Sequence, residues 1–135
     1  MQTPAVHSAR DRPRILVVED NRDGANTLSL LLCLFGYDVR IAYTGPDGVR
    51  EATEWSPQVV LCDIGLPGLD GYGVAAALRG NPQTSSVRLV AITGYRSDEV
   101  RQDAYRAGFD YFFTKPADPV MLQQLLSRLA PDKVR

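Results

Sequence analysis

Histidine occurs once in this 135-residue chain, cysteine twice and tryptophan once, and no apolar run is long. Each scarcity excludes something. With His7 as the single histidine, the usual histidine-rich metal clusters and the Ser-His and Cys-His triads are ruled out. Cys33 and Cys62 lie inside apolar runs without metal-like spacing, so both are expected to be core thiols in a reducing cytoplasm rather than a disulfide. The longest apolar run, 30–35, is far too short to span a bilayer, and the polar residues 1–13 contain no signal-peptide core. A net charge of −1 gives no global attraction to nucleic acid or to an anionic membrane.

What the chain does have is an alternation of apolar and helical segments, repeated five times. Residues 14–18 and 59–62 are continuous apolar runs, the pattern of strands buried on both faces. Residues 37–43 alternate, with Val39, Ile41 and Tyr43 against Asp38, Arg40 and Ala42, as a less buried edge strand does. Residues 87–92 and 109–113 make the fourth and fifth strands. Helical spacing follows each strand, over 22–35, about 45–54, 72–79, 97–108 and from Pro119 onward. In the first helix Ala25, Leu28, Leu31, Leu32 and Phe35 fall on one face. This order predicts an α/β fold, a doubly wound five-stranded parallel sheet in the order 2-1-3-4-5. One domain is expected over 14–130, with a flexible extension over 1–13 and a short tail over 131–135.

Ligands of such sheets bind outside the carboxyl ends of the strands. There the predicted order collects Glu19 and Asp20 after strand one, Asp63 after strand three, Thr93 after strand four and Lys115 after strand five. Taken singly, Asp63 also suits a helix cap or a turn, and Glu19-Asp20-Asn21 an N-cap with an acidic first turn. Taken together, three carboxylates in one crevice repel one another unless a cation intervenes. Hard oxygen ligands favour Mg²⁺. A lysine and a hydroxyl opposite them suit a phosphoryl group, whose transfer needs chiefly positioning and charge neutralisation around an Asp nucleophile.

At these residues the chain resembles the response-regulator receiver domains of two-component and phosphorelay signalling. The matching pieces are Val17-Val18-Glu19-Asp20-Asn21, the stretch from Leu61 through Asp63 and Gly65-Leu66-Pro67-Gly68 to Gly71, Ala91-Ile92-Thr93-Gly94, and Phe113-Thr114-Lys115-Pro116. The resemblance implies a flavodoxin-like receiver fold with Asp63 as phosphoacceptor. It also implies Mg²⁺, with Mn²⁺ as the second candidate, held by Asp20 and Asp63, by Glu19 directly or through water, and by the Gly65 carbonyl. Thr93 and Lys115 would hold the phosphoryl oxygens, and Thr93 with Phe112 would form the switch. Three positions depart from the usual pattern. Glu19 stands where many members have Asp, Phe112 lacks a tyrosine hydroxyl, and Gly65 offers no side chain to shield a phosphoryl group. Without a hydroxyl to satisfy, the Phe112 ring is expected inward.

A phosphoacceptor regulator rather than an enzyme is therefore expected, with a sensor histidine kinase or a histidine phosphotransfer protein as donor and another protein as target. Nucleic acid and membrane are not expected partners. The alternatives are a receiver from a hybrid histidine kinase and a phosphatase of the haloacid-dehalogenase type. The latter also uses an Asp nucleophile but needs a second Asp two residues on, where Gly65 stands. Leu30 and Leu34, with Cys33 beside them, project from the outer face of the first helix. They form a candidate surface for a homodimer or for the phosphodonor.

Overall fold

The computed structural model describes residues 12–131. His7, most of the expected extension over 1–13 and the tail beyond 131 lie outside the described residues. The elements run β1 Arg14–Val18, α1 Arg22–Leu34, β2 Asp38–Ala42, α2 Gly45–Trp55, β3 Val59–Cys62, α3 Gly71–Arg79, β4 Arg88–Thr93, α4 Asp98–Ala107, β5 Tyr111–Thr114 and α5 Pro119–Leu129. All pairings are parallel and the sheet order is β2-β1-β3-β4-β5, the expected topology.

Alternation along each strand divides the apolar residues between two cores. Leu16, Val18, Val60, Cys62, Leu89, Ala91 and Phe112 pack against α2, α3 and α4, which supply Trp55, Val74, Leu78 and Ala104. Ile15, Val17, Val59, Leu61, Val90 and Ile92 face α1 and α5, which supply Ala25, Leu32, Leu122, Leu125 and Leu126. Every helix opens on a polar side chain that accepts a backbone N–H. The caps are Asn21, Thr44, Asp70, Ser97 and Asp118. Asn21 thus does the capping at α1, and Glu19 and Asp20 are left for other work. Asp63 caps nothing, since α3 is capped by Asp70.

Several local expectations need correction. Cys62 is fully buried, but Cys33 is exposed. It stands 100° around α1 from the buried Leu32, and one face of a surface helix cannot bury the whole run 30–35. Leu30 and Leu34 are 68% and 84% exposed, as their spacing implies. Leu28, Leu31 and Phe35 are only half-buried. On the edge strand β2, Ala42 is the most buried residue although it alternates with the apolar set, because α2 covers that side. Phe109 precedes β5 rather than beginning it. It is buried as a core plug, and the next residue, Asp110, turns its carboxylate onto the Leu89 N–H at 2.9 Å.

One polar network ties the far end of this layer together. Arg79, at the end of α3, donates to the carbonyls of Val87, Ser85 and Gly108 and pairs with Asp110 at 2.9 Å. Gly108 has φ +121°, and a methyl group there would lie 2.8 Å from Arg79 Cγ, so only glycine fits. The guanidinium is mostly sheltered, unlike the exposed pairs Arg50–Asp47 and Arg106–Asp103. Hydrogen bonds to a sheltered charge contribute more than an exposed pair, so Arg79→Ala should lower the unfolding free energy by at least about 2 kcal/mol. Arg106→Ala should change it by no more than about 0.5 kcal/mol. Urea titrations of the two variants check this, and equal effects would show that the network carries no special weight.

Candidate functional site

Strand register builds the site. Val18 is paired with Cys62, so the next residue of each strand, Glu19 and Asp63, leaves the sheet beside the other. Two backbone bonds extend the ladder past the last pairs. The Glu19 N–H donates to the Ala42 carbonyl at 3.0 Å, and the Asp63 N–H donates to the Val18 carbonyl at 3.0 Å. On the far side, Thr93 pairs with Thr114, and the Lys115 N–H donates to the Thr93 carbonyl at 2.8 Å. The loop that follows β3 returns tightly to α3. Gly71 donates its N–H to the Ile64 carbonyl, and a methyl group on it would sit 2.6 Å from the Asp63 carbonyl oxygen. Any side chain at 71 would therefore push on the backbone that holds Asp63.

The structure brings Glu19, Asp20, Asp63 and Lys115 together. One carboxylate oxygen from each acidic residue lies within 4.8 Å of the others. The Lys115 ammonium donates to Asp63 Oδ2 at 3.1 Å and makes a second, short contact with Glu19 Oε1. The other oxygens are engaged locally. Glu19 Oε2 accepts the Asn21 N–H at 3.2 Å, and Asp63 Oδ1 accepts the Gly65 N–H at 3.1 Å, a turn contact of the kind an aspartate before a glycine makes. Glu19 is buried, Asp63 half-buried and Asp20 exposed. A cavity of about 660 Å³ opens beside Glu19, Asp63 and Lys115 and runs between α1 and α5, past Leu28, Leu31 and Ile92.

Thr93 and Phe112 stand apart from this cluster. Thr93 is 1% exposed, and its Oγ1 accepts the Tyr95 N–H at 3.3 Å. Phe112 is inward, in the core against α2, α3 and α4, with the Arg101 guanidinium 4.8 Å from its ring centroid. Sequence reasoning did not single out Tyr95 or Gly71. Nothing in the chain marks Tyr95, because its position over the site depends on how the loop after β4 folds back.

Charge and burial oppose each other here. Burial pushes the Glu19 carboxyl up. The hydrogen bonds from Lys115 and the Asn21 N–H pull it back, the Asp63 charge raises it again, and the net shift is upward. For Lys115, burial pulls downward, but the bonds and charges of Glu19 and Asp63 outweigh it and the ammonium is held above its ordinary value. Burial raises the Cys62 thiol strongly, so this residue is an inert core thiol despite adjoining Asp63. Three carboxylates against one ammonium leave an excess of negative charge on hard oxygen donors. That donor set fits a small divalent cation such as Mg²⁺, with Lys115 balancing part of the repulsion in its absence.

A five-stranded parallel α/β sheet in the order 2-1-3-4-5, with an acidic pocket and a lysine at its carboxyl edge, defines the receiver class of flavodoxin-like folds. The sequence model described as "Response regulator receiver domain" matches residues 15–127, and the chain belongs to that family. It is 32% identical to Protein PilH of Pseudomonas aeruginosa, over 84% of this chain and 94% of that protein. It is 35% identical to Response regulator PleD of Caulobacter vibrioides over 81% of this chain, but spans only 24% of PleD. Among solved structures, the receiver domain of the sensor histidine kinase PA1611 from P. aeruginosa PAO1, with magnesium in its active-site cleft, superposes with a TM-score of 0.81. The identity is 30%, covering 87% of this chain and 97% of that one.

The raised Glu19 pKa has a consequence for stability. A group whose folded pKa lies above its unfolded value contributes stability below the unfolded value, and that contribution is lost as pH rises through the folded one. In metal-free protein, the stability of wild type relative to Glu19→Gln should therefore fall from mildly acidic to neutral pH, because Gln cannot ionise. Thermal melts of both proteins in chelator across that range check this. Parallel curves would mean that Glu19 ionises as freely in the fold as in the unfolded chain.

Proposed function

We propose that this receiver domain takes a phosphoryl group onto Asp63 from a phosphohistidine of a sensor kinase or phosphotransfer protein, in a Mg²⁺-dependent reaction, and so changes its contacts with a protein target. The observation that carries this reading is the placement of Asp63, with a lysine ammonium at 3.1 Å and two further carboxylates within 4.8 Å at the open end of the sheet. An Asp63 oxygen attacks phosphorus, the P–N bond breaks, and its electron pair leaves with the imidazole. Asp20, Asp63, Glu19 and the Gly65 carbonyl are the proposed cation ligands. Mg²⁺, or Mn²⁺ in its place, supplies charge neutralisation between the carboxylates and the incoming phosphoryl oxygens. Lys115 then exchanges carboxylate contacts for a phosphoryl oxygen, and the Thr93 hydroxyl turns toward another, releasing the Tyr95 N–H. That inward movement couples to Phe112, whose ring is already buried.

The proposed receiver unit is 14–130. A cytoplasmic setting suits it, and among the described residues no helix is long and apolar enough to cross a membrane. The chain spans 94% of the length of PilH, and the PA1611 receiver it resembles belongs to a sensor histidine kinase, so a stand-alone regulator and a kinase-borne receiver are both kept as readings. The phosphatase alternative is disfavoured by Gly65, which has no group to act as acid or base.

With Mg²⁺ and acetyl phosphate, wild type should gain one phosphoryl group by intact mass and Asp63→Ala none, and neither should turn over a generic phosphomonoester. Asp20→Asn should bind Mg²⁺ at least about tenfold more weakly, a loss of about 1.4 kcal/mol. Beryllofluoride should shift the Thr93 amide and the Phe112 ring resonances together. Phosphorylation of Asp63→Ala, or an unaltered Mg²⁺ affinity in Asp20→Asn, would overturn the assignment of these residues.

For the outer face of α1, the exposed Leu30 and Leu34 support a protein contact, either a second copy of the chain or the phosphodonor. Replacing both with Glu should weaken self-association or donor-dependent phosphotransfer and leave phosphorylation by acetyl phosphate intact. Sedimentation and phosphotransfer rates equal to wild type would remove that surface from consideration.

A further inference from the structure

The cavity of about 660 Å³ beside the acidic residues is charged at one end only. Glu19, Asp23, Asp63 and Lys115 line that end, and most of the remaining wall is apolar. Its floor is the sheet face of Val17, Leu61 and Ile92, with Leu28 and Leu31 of α1 on one side and Ala117 and Leu122 on the other. The gap reaches the sheet, since Ile92 is 7% exposed whereas Val17 and Leu61 on the same face are 1% exposed. Near the start of α1, the nearest atoms that a methyl group on Gly24 would meet belong to the helix's own cap, Asn21, at 3.5 Å, and not to α5. The far wall is stiff. Pro116 and Pro119 bracket Ala117, and the Asp118 side chain accepts the N–H groups of Val120 and Met121.

A preformed, largely apolar cavity of about 300–1,000 Å³ with a few polar groups is the usual form of a small-ligand site. Charge selects the ligand here. Three carboxylates against one ammonium favour a cation at the polar end, and a metal ion alone would leave the apolar length unfilled. We propose that the cavity binds a small amphipathic amine, its ammonium among the Glu19, Asp23 and Asp63 carboxylates and its hydrocarbon body between α1 and α5. Each carboxylate oxygen has two lone pairs, so Glu19 and Asp63 keep their Lys115 contacts and accept a further donor. An amphipathic acid would set its own charge against the carboxylates, and a neutral alcohol would leave their repulsion uncompensated. Because the ammonium and Mg²⁺ draw on the same carboxylates, each lowers the affinity of the other by the same factor. An amine of this kind therefore opposes loading of the metal. That consequence, though not the binding itself, rests on Mg²⁺ occupying the proposed ligands.

The test is titration of the protein in chelator with 2-phenylethylamine, 2-phenylethanol and 3-phenylpropionate, followed by NMR of the methyl groups. The amine should shift the Leu28, Ile92 and Leu122 methyls saturably, the alcohol should bind at least about tenfold more weakly, and the acid should not bind. Without chelator, saturating Mg²⁺ should weaken the amine at least about fivefold. Leu31→Trp and Ala117→Leu fill the cavity from opposite walls, so loss of fold in one leaves the other to decide. Either should weaken the amine at least about tenfold and leave the Mg²⁺ affinity at the wild-type value. Equal binding of amine and alcohol, or an amine affinity indifferent to both substitutions, overturns the proposal. A chain that binds the amine in chelator but takes up no Mg²⁺ removes the proposed metal ligands and bears out the amine site.

Discussion

Electrostatic repulsion among Glu19, Asp20 and Asp63 is the constraint to which this end of the molecule answers. Parallel strand pairing forces the first and last of these side by side, since Val18 and Cys62 are paired and the chain has no slack before the next residue. Without a cation, the Lys115 ammonium is the counter-charge among the described residues at the cluster, and it bridges the Glu19 and Asp63 carboxylates. Its own place is fixed by the strand ladder, through the bond from its N–H to the Thr93 carbonyl. The cluster is thus a strained balance of charge built by a rigid sheet. A site of that kind gains most from a ligand that brings positive charge and then from one that engages the lysine.

Strand alternation separates two kinds of work. Along β5, Tyr111 and Phe113 share the α1–α5 face with Lys115, and Phe112 points to the α2–α4 face. Along β3, Leu61 and Asp63 share the α1–α5 side, where the cavity lies. The charged groups therefore look toward α1 and α5, and Phe112 belongs to the opposite layer. Thr93, at the end of β4, accepts the Lys115 N–H on its carbonyl and the Tyr95 N–H on its hydroxyl, and it is the point where the two sides meet.

The other regions of the layer architecture are firmly tied. Arg79 closes the opposite end of the α2–α4 layer with bonds to three carbonyls and one carboxylate. Capped helix starts remove loose backbone donors at the functional edge. The site loops then bear the few contacts that can exchange: Gly65 to Asp63, Tyr95 to Thr93, and Lys115 to its two carboxylates.

Sheet order, strand identity and the gathering of Glu19, Asp20, Asp63, Thr93 and Lys115 at one edge were legible in the chain. Apolar runs, turn residues and the handedness of parallel crossovers are local or general properties, and together they leave few topologies. Other features were settled only by the tertiary structure. Cys33 lies in an apolar run but is exposed, because one helix face cannot bury six consecutive apolar residues. Phe109 became a core plug before β5 because Asp110 is drawn to the Leu89 N–H, and Ala42 is buried because α2 covers its side of an edge strand. The stretch Glu19-Asp20-Asn21 suited an N-cap with an acidic first turn, and the structure gives the cap to Asn21. The approach of Tyr95 to Gly65, thirty positions apart on separate loops, has no trace in periodicity or propensity. Sequence patterns record which face of an element is apolar, whereas contacts between loops depend on where the assembled sheet delivers their ends.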